Sequence, residues 1–189
     1  MTLFESIFAF ISIVTSLALT HLIAGVVTLV RHAERSRISL IHACWLWLAF
    51  VLVIGNWAGL IGVQDDPHWP PARIILWLTA MIGLYAFSAL VLPDSQPGEP
   101  IDLVAFEQTE SRRYIFAHNV FAACALLLIV GVRGFDPAML SIAVFPLAAL
   151  GLGLLAMVAG PRWLRGAIAL VMAVNGSVMT FGLLAALEG

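Results

Sequence analysis

Apolar residues run along this chain in six long blocks, each ended by charge, proline or glycine. The blocks cover residues 3–30, 38–63, 72–92, 114–132, 137–159 and 163–187. A helix needs about 20 apolar residues to cross the hydrocarbon core of a bilayer, and every block is close to that length or beyond it. The pattern predicts an all-α membrane protein, a six-transmembrane-helix bundle forming a single domain. A weaker pattern at about 102–112 sets Leu103 and Phe106 against Glu107 and Glu110, with Asp102 as N-cap. It predicts a short interfacial helix on the cytoplasmic surface, able to run directly into the fourth span.

Local signals mark the ends. Thr2 and Glu5 form a capping-box pattern before the first span. Pro71 and Pro137 suit first helical positions, the latter behind Asp136. Pro146 falls inside the fifth span and predicts a bend there. Ala149 and Gly153, Ala156 and Gly160, and Ala169, Ala173 and Ser177 place small residues four apart, which lets helices approach closely in lipid. Spans five and six are expected to pack as a tight hairpin.

The first span is the most polar. At 100° per residue, Ser12, Ser16 and Thr20 share one arc and Thr15 extends it, while His21 falls opposite with Gly25 and Thr28. A helix polar on both sides is expected to be ringed by other helices.

Composition sharpens this picture. The chain is 62% hydrophobic and 11% charged over 189 residues, against about 25% charged in soluble domains, so no sizeable soluble domain fits. The net charge of −2 suggests no nucleic-acid partner. The bilayer itself is the expected partner, and a homo-oligomer is expected beside it. All nine basic residues are Arg, and seven of them fall in connections one, three and five. The positive-inside rule then places those connections in the cytoplasm and both termini outside, in the inner membrane of a bacterium. Cys44 and Cys124 lie inside spans and read as small buried apolar residues.

The run Ser12-Ile13-Val14-Thr15-Ser16-Leu17-Ala18-Leu19-Thr20-His21-Leu22-Ile23-Ala24-Gly25 is followed by an Arg-rich turn and a Trp-rich span. Phe106 to Phe116 adds an Arg pair before an aromatic pair. Together these resemble an uncharacterised family of six-span bacterial membrane proteins. The resemblance implies that architecture and no activity.

Candidate chemistry is sparse. No phosphate loop, HExxH, nucleophile elbow or Cys/His metal signature is present, and no acid or Arg falls near a midplane, so catalysis is not expected. Counting about 1.5 Å per residue from the Arg clusters puts His21 and Asn175 near the midplane, and His42 and His118 together at a shallower level. One reading makes His21, Asn175, Ser12, Ser16 and Thr20 the lining of a path for a small ion or solute, in a homo-oligomeric channel or transporter. In another, His42 and His118 hold a haem or a metal in a redox or sensor protein, although no cofactor is predicted outright. The third reading is a structural or assembly subunit, with these groups bonded between helices.

Overall fold

A computed structural model describes residues 3–32, 36–64, 69–94, 100–133 and 137–187, without the side chains of Leu3 and 132–140. Its six helices are α1 (Leu3–Arg31), α2 (Leu40–Ile61), α3 (Pro71–Leu90), α4 (Leu103–Arg133), α5 (Pro137–Val158) and α6 (Arg162–Ala185). All six are long and apolar enough to cross a membrane. The protein is therefore a multi-pass helical membrane protein.

The helix starts follow ordinary capping chemistry. Ser39 has extended backbone and its hydroxyl accepts from the His42 amide at 3.4 Å, opening α2. Asp102 accepts from the amides of Val104 and Ala105 at 2.9 and 3.0 Å, opening α4. Pro71 occupies the first turn of α3, where its missing N–H costs nothing. Thr2 and Asp136, expected as caps, lie outside the described residues.

Two expectations about α4 merge into one finding. The amphipathic stretch at 102–112 is continuous with the fourth span, in one helix of 31 residues. At about 1.5 Å per residue it is about 46 Å long, half as long again as a hydrocarbon core of about 30 Å. Its first turns therefore project from the span at the Arg-rich end of the bundle.

Helices α3, α4, α5 and α6 pack in chain order, and α6 packs extensively on α2. α2 also touches α3 and α4, which closes a ring of five helices. The backbones of α3 and α4 come so close that a Cβ on Gly83 would sit 3.0 Å from the Phe121 amide nitrogen. On the other side of α2, a Cβ on Gly55 would meet the Thr180 hydroxyl. That hydroxyl donates to the Val51 carbonyl at 2.9 Å, and Trp47 Nε1 donates to the Ser177 hydroxyl at 2.9 Å. The small residues of α6 thus serve α2 more than α5. The expected α5–α6 hairpin is a lesser contact, because Gly55 on α2 offers the closer approach.

α1 corrects a second expectation. It lies outside the ring, against α3 and α2, and is not surrounded. Ile7, Ile11, Thr15, Ala18 and Leu22, three or four apart, form its buried face. At the Arg-rich end, Arg37 N donates to the Ile101 carbonyl at 3.0 Å and Leu103 N to the Arg37 carbonyl at 3.1 Å. The Arg37–Asp102 ion pair at 3.3 Å completes this tie between the segments that precede α2 and α4.

Candidate functional site

The ring encloses a half-open cavity of about 410 Å³. Helices α2, α3, α4 and α6 supply its walls, with Ile142 from α5. Its lining includes the C-terminal ends of α2 and α6 and the start of α3, so it opens at the end opposite the Arg-rich one. The walls are almost wholly carbon. Polar lining comes from Asn56, Thr180 and Arg73. Asn56 donates to Met81 Sδ at 3.2 Å and Thr180 to Val51, which fixes both side chains. The Arg73 guanidinium is buried and stacks 4.1 Å above the Trp69 ring.

The inner end of the cavity reaches Leu52 and Phe121. A much smaller space shares those two residues and continues toward His118, Asn175 and Pro146. Beyond it the bundle is plugged by aromatic rings. Phe87 lies edge-on to His118 at 5.3 Å and to Trp45 at 6.4 Å. Trp45 lies 5.6 Å from Tyr114, and Tyr114 lies 6.4 Å from His42. Such ring pairs contribute about 0.5–1.5 kcal/mol each beyond their buried area. Over about three helical turns, one buried face of α4 carries Glu107, Ser111, Tyr114 and His118 into this plug.

The polar residues expected to line one path are dispersed. His21, Ser16 and Thr20 are exposed on the outward side of α1. Ser16 donates back to the Ser12 carbonyl at 2.7 Å. Asn175 is half-buried on α6 and donates to the Phe145 carbonyl at 3.1 Å, one residue before Pro146. α1 and α6 share no extended interface, so His21 and Asn175 are not brought together. At 100° per residue Thr20 falls opposite the buried Thr15, Ala18 and Leu22, while His21 falls on the flank of that face and is exposed there.

His42 and His118 are both buried, at 0% and 1% exposure, but they do not face each other. His42 packs edge-on against Phe106 at 5.5 Å, while His118 packs against Phe87 and Trp45. Their equal distance from Arg clusters misled, because α4 begins well before Arg113 and His42 lies beside its first turns. A haem between them does not fit. Axial ligation needs both imidazoles on opposite faces of one flat macrocycle, and the Trp45 and Tyr114 rings fill that space. Among the described residues no group of three or more His, Cys, Asp or Glu is placed to hold a metal ion.

One charged pair was not anticipated. Glu107, 1% exposed, forms an ion pair with Arg165, Oε1 to Nη1 at 3.2 Å, linking α4 to the first turn of α6. The signal was present: Glu107, Ser111, Tyr114 and His118 follow one another at spacings of four, three and four. It becomes readable only when the amphipathic stretch and the fourth span are taken as one helix. Glu110, by contrast, points outward and pairs with Arg113 at 2.7 Å.

No family model, curated protein or solved structure matches this chain.

Proposed function

We propose that this protein carries a small amphiphile, an apolar body with a polar head, across or within the bilayer. The observation behind the reading is the carbon-walled cavity of about 410 Å³, open at one end and plugged by aromatic rings at the other. That volume falls in the range of small-molecule sites, which pair apolar walls with a few placed polar groups. Here Asn56, Thr180 and Arg73 are those groups. The walls favour an amphiphile over a bare ion, since carbon offers an ion nothing in exchange for its water. They also narrow the substrate from the other side, because a wholly apolar solute crosses lipid unaided. With the Arg-rich end in the cytoplasm of a bacterium, the cavity opens outward. A path through His21, Ser16 and Thr20 would require a second copy against α1.

The test uses purified protein in liposomes. Three eight-carbon probes with impermeant heads would be supplied: octyl phosphate, octyltrimethylammonium and octyl glucoside. Uptake of at least one above protein-free liposomes is expected. Ala125→Trp, which fills the cavity from α4, should abolish it. Absence of uptake for all three, or uptake indifferent to Ala125→Trp, would overturn the reading.

A further inference from the structure

α4 and α6 face each other across the cavity, both contributing to its walls. They share no extended interface. At the Arg-rich end they are nevertheless joined, by Glu107 and Arg165. The two helices therefore stand apart at the open end and are pinned at the closed end. We propose that the Glu107–Arg165 ion pair is the gate at the closed end of the same path, and that it parts to let the carried molecule leave on the Arg-rich side. This rests on the carrier reading above.

The surroundings of the pair support a gate more than a permanent brace. Among the described residues, the buried polar atoms without a hydrogen-bond partner include Glu107 Oε2 and Arg165 Nε of the pair itself, the Tyr114 hydroxyl, and both ring nitrogens of His42, which packs on Tyr114. Tyr114 lies within electrostatic range of both Glu107 and Arg165. A settled core satisfies nearly all such groups, and a half-satisfied buried network is costly. The closed arrangement is thereby brought nearer in free energy to one in which water reaches these atoms. The two partners are also unequally placed. The Arg165 side chain is 20% exposed and Glu107 1%. Arg165 can swing to solvent from the start of α6, while Glu107 stays on the buried face of α4. The Arg37–Asp102 tie holds the segments before α2 and α4 and does not involve α6, so parting of the pair leaves it intact.

Thiol accessibility reads the gate without requiring transport. In a Cys44→Ala, Cys124→Ala background, Ser111→Cys places one thiol a turn deeper than Glu107 on the same buried face of α4. A membrane-impermeant maleimide is added from the Arg-rich side of oriented vesicles. Labelling should rise about tenfold in Glu107→Gln and in Arg165→Gln, and return toward the starting rate in the charge-swapped Glu107→Arg, Arg165→Glu double variant. Unchanged labelling in both single variants would overturn the gate. Should the single variants not fold, Glu107→Cys with Arg165→Cys, carrying Ser111 unchanged, serves instead, since the gap that two long side chains bridge is one a short bis(methanethiosulfonate) reagent spans. Cross-linking should block probe uptake and reductive cleavage of the link restore it, and uptake indifferent to the cross-link also overturns the gate. Labelling that follows the pair in a protein that takes up no probe would retain the moving contact and reject the carrier reading.

Discussion

Gly55→Ala probes the close packing of α2 on α6. The added methyl would fall on the Thr180 hydroxyl, with Thr180 Cβ a further neighbour at 3.3 Å. The hydroxyl cannot simply turn away, because it donates to Val51 O at 2.9 Å, the carbonyl one helical turn before Gly55. Overpacking of this kind costs about 1–3 kcal/mol. Loss of the interhelical hydrogen bond adds about 0.6 kcal/mol. The better helix propensity of Ala over Gly returns up to about 1 kcal/mol. The net loss should be about 1–3 kcal/mol. Thr180→Ala removes the obstructing oxygen, leaving a contact that a shift of a few tenths of an ångström relieves. In that background Gly55→Ala should cost nothing or stabilise slightly, for a coupling of about 1–3 kcal/mol. The assay is reversible unfolding in mixed detergent micelles, run on both single variants and the double. Effects that add to within about 0.5 kcal/mol, the usual behaviour of independent sites, would refute the argument.

The buried ion pair should respond asymmetrically in the same unfolding assay. Arg165→Met strands a buried carboxylate and should cost about 3–5 kcal/mol, whereas Glu107→Gln leaves a cation that can reach solvent and should cost clearly less. Equal losses would show that Glu107 is better hydrated than its burial implies. A third expectation concerns acid. The Ala105 backbone amide above all, then the Val104 amide and the Arg37 charge, hold the Asp102 carboxyl below its usual range. A carboxyl lowered in the folded state stabilises above its unfolded pKa of about 3.9, and that contribution fades as pH falls through the folded value. Asp102→Asn should therefore lower stability at neutral pH and weaken its dependence on pH below about 4; an unchanged acid slope would refute this.

The fold was largely legible because the bilayer imposes a length on each span, and six apolar blocks meet it. Boundaries came from caps that work locally, such as Asp102 and Pro71. The sites were less legible, for a reason the first helix makes plain. Ser16 and Thr20 can satisfy themselves against their own helix or face a path, and periodicity is the same in both cases. Only neighbours decide, and α1 has neighbours on one side. His42 and His118 show a second limit. Depth counted from Arg residues assumes that each helix begins at its Arg cluster, and α4 begins ten residues before Arg113. The cavity had no sequence signal at all. It exists where Gly55, Gly59, Ala80 and Ala125 from three helices happen to converge, and convergence is a property of packing.

The outlying position of α1 bears on how the chain is assembled. Helices enter the bilayer in the order in which they are synthesised, and α1 docks on a groove made by α2 and α3, which follow it. It must therefore reside in lipid unaccompanied for a time. Two of its hydroxyls are suited to that interval: Ser16 donates to Ser12 O at 2.7 Å, and Thr28 to Ala24 O at 3.0 Å, so neither depends on a later helix. The ring, in contrast, cannot close until α6 reaches α2, at a separation of 129 residues between Thr180 and Val51. The carbon-walled chamber is thus the last thing the nascent chain makes, and a chain stopped before α6 would hold the first helix in place with nothing yet enclosed.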